Sequence, residues 1–320
     1  MKKTLISLAA ALLIIPISLM FGDFSISEFQ ADTLWHVMRI YIAVSLGCFI
    51  LSQAVANYSQ VDKLWSIIPV VFVWVIAYEG GFEPRLLLMA ILVSIWGIRL
   101  TYNFSRRGGY SWRFWEGEED YRWAVLRKNP LLNTKWKWTL FNFGFISFYQ
   151  LGLLTLITLP MITSISESSA PLGMADVGIA LLFLGFVVFE TVADQQQWIF
   201  QNTKHVLRKT GALMPEVYEK GFIAEGLWRI SRHPNYFAEQ SIWVTFYLFS
   251  VSATGNWINW SIVGCLLLIT LFQGSANFSE GITMAKYPKY RQYQQRTSKF
   301  IPAIGHVWAF SKATLNKAFH

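Results

Sequence analysis

Residues 226–240 read Gly-Leu-Trp-Arg-Ile-Ser-Arg-His-Pro-Asn-Tyr-Phe-Ala-Glu-Gln and lead from a basic loop straight into an apolar stretch. Pro234 lacks an amide hydrogen and disfavours helix at His233, so a helix is expected to begin with Pro234 in its first turn. Free backbone amides there, beside Arg229, Arg232 and His233, would suit an anion such as phosphate. Asn235 and Glu239 then share one face, about 6 Å apart along the axis. Capping and orientation signals account for Arg229 and Arg232. They do not account for Glu239, an acid carried into an apolar stretch at high cost unless paired. Glu239 either holds a ligand or neutralises a cation, with Arg232 and Arg99 as the candidates.

Other apolar stretches end in the same way. Arg99 and Asn103 share a face, followed by Arg106 and Arg107. Arg99 lies about one to two turns inside its stretch, where an arginine needs a partner. Glu190 and Asp194 stand four residues apart at the end of another. They could bind a ribose, receive the arginines or reach water. Ser275, Asn277 and Glu280 close a further stretch, and the short segment 57–63 presents Tyr58, Gln60 and Asp62. Asp62 also fits a helix cap for a stretch starting near Leu64. Polar groups of both signs are thus expected to meet over an apolar body rich in Trp and Phe, as a pocket for a large anionic cofactor would require.

The elements that must carry these groups are membrane helices. Of 320 residues, 54% are hydrophobic and only 14% charged, against about 25% charged in ordinary soluble chains. Apolar stretches near 4–21, 36–56, 64–78, 86–104, 139–161, 173–193, 239–253 and 257–275 are the expected spans. Segments 1–3, 57–63, 105–138, 194–238 and 276–320 hold 24 of the 27 Lys and Arg residues. The three others are Arg39, Arg85 and Arg99. This bias predicts an all-α polytopic membrane protein with eight spans and both termini in the cytoplasm. Residues 1–320 read as one membrane domain without a linker or repeat. The net charge of +8 is spread as orientation signals rather than as a nucleic-acid-binding face. The five histidines are scattered and Cys48 and Cys265 lie in apolar stretches, so no metal site is expected. There is no Gly-x-Gly-x-x-Gly after a strand, which excludes a Rossmann site.

The stretch GLWRISRHPNYFAE, residues 226–239, resembles the carboxy-terminal signature of the steroid 5α-reductase and sterol reductase superfamily. The match is closest to a bacterial branch, in which residues 60–65, 96–110, 119–123, 193–196, 271–280 and 286–294 of this chain also recur as motifs. The similarity covers roughly residues 55–302. It implies a helical membrane fold in the bacterial inner membrane that binds NADPH on its cytoplasmic side and reduces a polarised C=C bond in a steroid- or lipid-like substrate. By similarity Asn235 and Glu239 match the residues that hold the nicotinamide end, and Asp194 matches one near the adenosine portion. Arg107 falls close to phosphate-contacting residues. Ser275, Asn277 and Glu280 stand where steroid 5α-reductases have a histidine cluster and a Tyr. Asp62 and Trp96 lie nearest the residues that bind the steroid carbonyl.

With that cofactor, Arg106, Arg107, Lys204 and Arg232 become candidates for its extra phosphate. Glu190, His233 and Tyr236 complete the expected binding set. Glu239 would position the carboxamide, and Asp62 or Tyr58 would donate the proton. Two rival readings remain. Isoprenylcysteine and phospholipid methyltransferases share Arg-His-Pro-x-Tyr and a later acid but use S-adenosylmethionine. A non-catalytic lipid-binding or transport protein is the other. The QVD, RRGGY and ADQQ blocks favour the reductase.

Overall fold

A helix in lipid inverts the usual pattern, exposing apolar side chains and burying polar ones against its neighbours. Helix α1, Glu28–Val55, buries Gln30, Thr33, Ser45 and Ser52 while Ile42, Leu46 and Ile50 face outward. Ser27 caps it through a reciprocal bond with Gln30. The computed structural model describes residues 25–113, 115–165 and 171–303. The expected span at 4–21 lies outside them.

Among the described residues, every regular element is helical. After α1 come α2 (Gln60–Leu64), α3 (Ile68–Glu79), α4 (Pro84–Ser105), α5 (Tyr121–Arg127) and α6 (Lys135–Phe141). A π-helical segment, Asn142–Tyr149, runs on into α7 (Gln150–Leu156) and α8 (Leu159–Thr163). Then follow α9 (Met174–Thr210), α10 (Glu216–Glu219), α11 (Leu227–Ile230) and α12 (Pro234–Thr254). A short 3₁₀ turn leads into α13 (Val263–Lys286), and α14 (Tyr290–Arg296) is the last.

Among the described residues, five helices or helical runs are long and apolar enough to cross a membrane: α1, α4, Lys135–Thr163, α9 and Trp260–Lys286. The expected spans at 36–56, 86–104, 139–161, 173–193 and 257–275 fall on these five. Helix α3 is shorter, at 12 residues. Helix α12 has 21 residues but carries Asn235, Glu239 and Gln240, and is not among the five. Helix α9 runs well beyond its expected end at 193. No Gly or Pro occurs from Phe186 until Gly211, whose φ of +66° ends the helix.

The described residues group into two compact units. The smaller comprises 184–242 and 269–303, the larger 25–183 and 243–268. Their boundaries fall inside α9, α12 and α13.

In the larger unit α3 and α4 form a tight hairpin. A Cβ on Gly97 would lie 2.8 Å from the Ser66 carbonyl oxygen, so only glycine permits this approach. Ser66 and Thr101 bond across the same contact at 2.7 Å. The core holds Phe72, Ile76 and Met89, with Trp96 edge-on to Trp243 at 4.9 Å. Arg85 binds Asp176 through Nε at 2.9 Å and Nη2 at 3.0 Å, both residues being buried. The smaller unit packs Phe200, Ile223 and Trp228 together, flanked by Val217 and Tyr218. Each such large side chain contributes about 1.5–3 kcal/mol on burial.

Candidate functional site

The motif at 226–240 is seated on the carboxy-terminal part of α9. Gly226 adopts φ +58° and ψ −131°, a region essentially closed to side chains. A Cβ there would meet the Gln196 amide at 2.6 Å. That amide's oxygen accepts the Leu227 backbone N–H at 2.9 Å. The Trp228 indole donates to the Ala193 carbonyl at 3.0 Å. Residues 193–196 and 226–228 are therefore two halves of one joint.

The tail closes over the same place. Arg232 and His233 donate their backbone N–H groups to the Ser298 and Lys299 carbonyls, at 2.8 and 3.1 Å. Helix α12 begins at Pro234, as expected. Several of the amides expected to stay free for an anion are taken, however. Besides those two, the Tyr236 N–H bonds the Asn235 side-chain oxygen at 3.0 Å and Phe237 returns to the His233 carbonyl.

Glu280 on α13 is the hub of the charged network. It accepts Arg232 Nε at 2.7 Å, Gln294 Nε2 at 2.8 Å and a bond from His233 Nε2 at 3.0 Å. Arg232 Nη1 reaches the Gln294 and Thr297 carbonyls, and Nη2 donates to the second Glu280 oxygen at 3.4 Å. The Arg232 side chain is only 11% exposed. Its counter-ion is thus Glu280, which corrects the expectation that Glu239 might neutralise Arg232. A guanidinium so engaged is not poised for a cofactor phosphate.

Lys204 is committed in the same way. Its ammonium donates to the Gly221 carbonyl at 2.8 Å and lies over the rings of Phe200 and Tyr287. Asn277 accepts Lys299 Nζ at 2.8 Å. Tyr236 stacks on His233 with ring centroids 5.1 Å apart and meets Phe272 edge-on at 4.6 Å. Burial and the adjacent Arg232 cation hold the His233 imidazole below its ordinary pKa, outweighing the pull of Glu280.

Two expected residues from different motifs do come together. Asn235 Nδ2 donates to Asp194 Oδ1 at 3.2 Å, linking the motif to α9. Glu190 and Glu239 lie one helical turn further along their own helices. Glu190, Asp194 and Glu239 are each buried, at 4–5% exposure. Ser275 stands on α13 beside the turn that carries Asn277.

The larger unit holds a second group of the expected residues. Asn103 is buried at the end of α4 and its side-chain oxygen accepts Arg106 Nε at 2.9 Å; Arg107 is exposed. Tyr58 is buried edge-on against Trp138, with the Arg127 guanidinium 4.5 Å over its ring. Its backbone N–H donates to Glu119. Asp62 lies within α2 and accepts the Trp123 indole at 3.4 Å. It does not cap α3, whose start has no side-chain cap. Burial raises the Asp62 pKa, and nearby Asp120 adds to this, against the opposing pull of Arg122.

Sequence reasoning missed Gln196, Gln294 and Lys299 as the residues that hold the motif in place. The conspicuous ADQQ and KYPKYRQYQQ strings were the available signals. The carbonyls of 298 and 299, being backbone, left none.

No solved structure matches the chain. It is 36% identical over 301 residues to Uncharacterized protein C594.04c of Schizosaccharomyces pombe, a span of 90% of this chain and 86% of that relative. The resemblance is therefore not confined to bacteria. The profile of the family described as Protein of unknown function (DUF1295) matches residues 48–297, which take in every motif from Gln60 to Gln294. The chain belongs to the DUF1295 family.

Proposed function

We propose that the protein is an NADPH-dependent membrane reductase of a polarised C=C bond in a hydrophobic, steroid- or lipid-like substrate. The observation that carries the reading is the Asn235–Asp194 bond, which joins the two motifs expected to hold a nucleotide. Around it the smaller unit buries Glu190 and Glu239, carboxylates suited to accept from ribose hydroxyls and from a carboxamide. The cofactor would supply a hydride to the β-carbon of the acceptor. Asn235 and Glu239 would orient its amide end, and Asp194 and Glu190 its sugar portion. In the larger unit, the raised pKa of Asp62 favours a protonated carboxyl, and Asp62 or Tyr58 is the proposed proton donor. The proposed topology is eight spans with both termini and the site cytoplasmic. Cysteines at Leu172 and Ser298 would label from opposite sides; labelling of both from one side refutes it.

Equilibrium binding of NADPH, NADH and S-adenosylmethionine to detergent-purified protein tests the function. NADPH is expected to bind most tightly. Glu239→Gln is expected to weaken it about tenfold or more, the loss of one charge-assisted hydrogen bond of about 1.5–3 kcal/mol, without lowering the melting temperature. Tight S-adenosylmethionine binding without NADPH binding would make the protein a methyltransferase. Binding of neither would leave the non-catalytic lipid-binding or transport reading.

A further inference from the structure

Of the three cations that break the charge bias, Arg85 pairs with Asp176 and Arg99 has contacts of its own. Arg39 is different. It is exposed on α1 and has no hydrogen bond or ion pair among the described residues. It stands about one turn inside the expected span at 36–56, on a helix apolar enough to cross a membrane. A cation there is costly unless it reaches a partner or the polar head groups, and no described residue provides a partner.

What the protein does provide is a groove. An open groove of about 790 Å³ lies beside Arg39 between α1 and α3. Its walls are Ile40, Val71, Trp74 and Val75. His36 and Glu79 mark the level where α3 ends, and they bind each other at 2.9 Å. Glu79, the one acid lining the groove, thus bonds His36 and not Arg39. Arg39 lies about one turn along α1 from His36, leaving its guanidinium as the group that faces an anion. Val71 and Trp74 are themselves outward-facing on α3, so the groove is open along a lipid-facing surface.

We propose that this groove binds one glycerophospholipid, its phosphate on Arg39 and an acyl chain along Val71, Trp74 and Val75. Arginine reaches a phosphate through a flexible apolar stem and can bind it with two parallel hydrogen bonds. An apolar trough ending in a single unpartnered cation matches an amphiphile with an anionic head and an apolar tail. A free anion would leave the trough empty, and an uncharged lipid would leave Arg39 unsatisfied. The site is distinct from every residue assigned above to cofactor or proton transfer.

Delipidated full-length protein titrated with phosphatidylglycerol, read by native mass spectrometry, tests this. One bound lipid is expected. Arg39→Gln should weaken binding about tenfold or more, and Arg39→Lys should recover part of that loss. Val71→Trp, at an outward-facing position that tolerates bulk, should fill the trough and weaken binding with Arg39 intact. Melting temperatures of the variants verify that each is folded. Equal lipid binding in all four proteins would overturn the proposal, as would competition by inorganic phosphate alone at matched concentration. A photo-cross-linker at Val75 should capture lipid; capture of residues 1–24 or of a second copy would show that protein fills the groove instead.

Discussion

Replacing Glu280 by Gln keeps the shape of the hub and removes its charge. Arg232 Nε lies 2.7 Å from the Glu280 carboxylate, and the arginine side chain is 11% exposed. Stranding a buried cation in this way costs about 3–5 kcal/mol. The Gln294 and Thr297 carbonyls still accept from Arg232, which places the cost near the lower end, about 3 kcal/mol. At ~2–4 °C per kcal/mol for a chain of this size, the melting temperature should fall by about 6–12 °C. Thermal unfolding of detergent-solubilised protein, followed by tryptophan fluorescence, reads this directly. The double variant Arg232→Met with Glu280→Gln removes both charges and should recover more than half of the loss, because the two sites are coupled. A fall below about 3 °C in the single variant, or simple additivity in the double, would refute the assignment of Glu280 as the counter-ion of Arg232.

Gly226→Ala should cost about 1–3 kcal/mol, since it forces a side chain into a glycine-only conformation and onto the Gln196 amide. Gly47→Ala, with open space around it, serves as the control in the same unfolding assay. His233 predicts a pH dependence. Its folded pKa lies below the model-peptide value of about 6.5, so the unfolded chain binds the proton more readily. Its contribution is complete above pH ~6.5 and is lost as pH falls below that toward the folded value, with a slope of at most ~1.4 kcal/mol per unit. Melting temperature measured from pH 8 to 5 should drop more steeply in the native protein than in His233→Gln.

Much of the membrane architecture was legible because hydropathy acts locally. The expected stretches at 86–104 and 139–161 nearly coincide with α4 and with Lys135–Thr163. Pro234 marked a helix start for reasons contained in one residue. The continuation of α9 to Thr210 was less visible, since falling hydropathy after Ala193 looked like an ending while the absence of Gly and Pro permitted helix. Within the site, side-chain types announced that Glu239 and Arg99 needed partners. They could not announce which partners, because that depends on residues 40 to 50 positions apart meeting across helices, as in Asn235 with Asp194. The capping of the 232 and 233 amides was invisible, because its acceptors are backbone carbonyls of Ser298 and Lys299.

The spacing of the Glu280 hub along the chain has a consequence for biosynthesis. Arg232 emerges from the ribosome 48 residues before its counter-ion. At about 5–20 residues per second, that is roughly 2–10 s during which the cation has no Glu280 to meet. The carbonyls that close the α12 start come later still, at residues 298 and 299. Synthesis must therefore reach Lys299 before the polypeptide can complete the place where its motifs converge. A ribosome that stops before Glu280 releases a chain with a stranded charge at the edge of a hydrophobic segment. Such a product should be recognised by membrane quality control, so early stop codons and late ones just before Ser298 should both lower protein abundance.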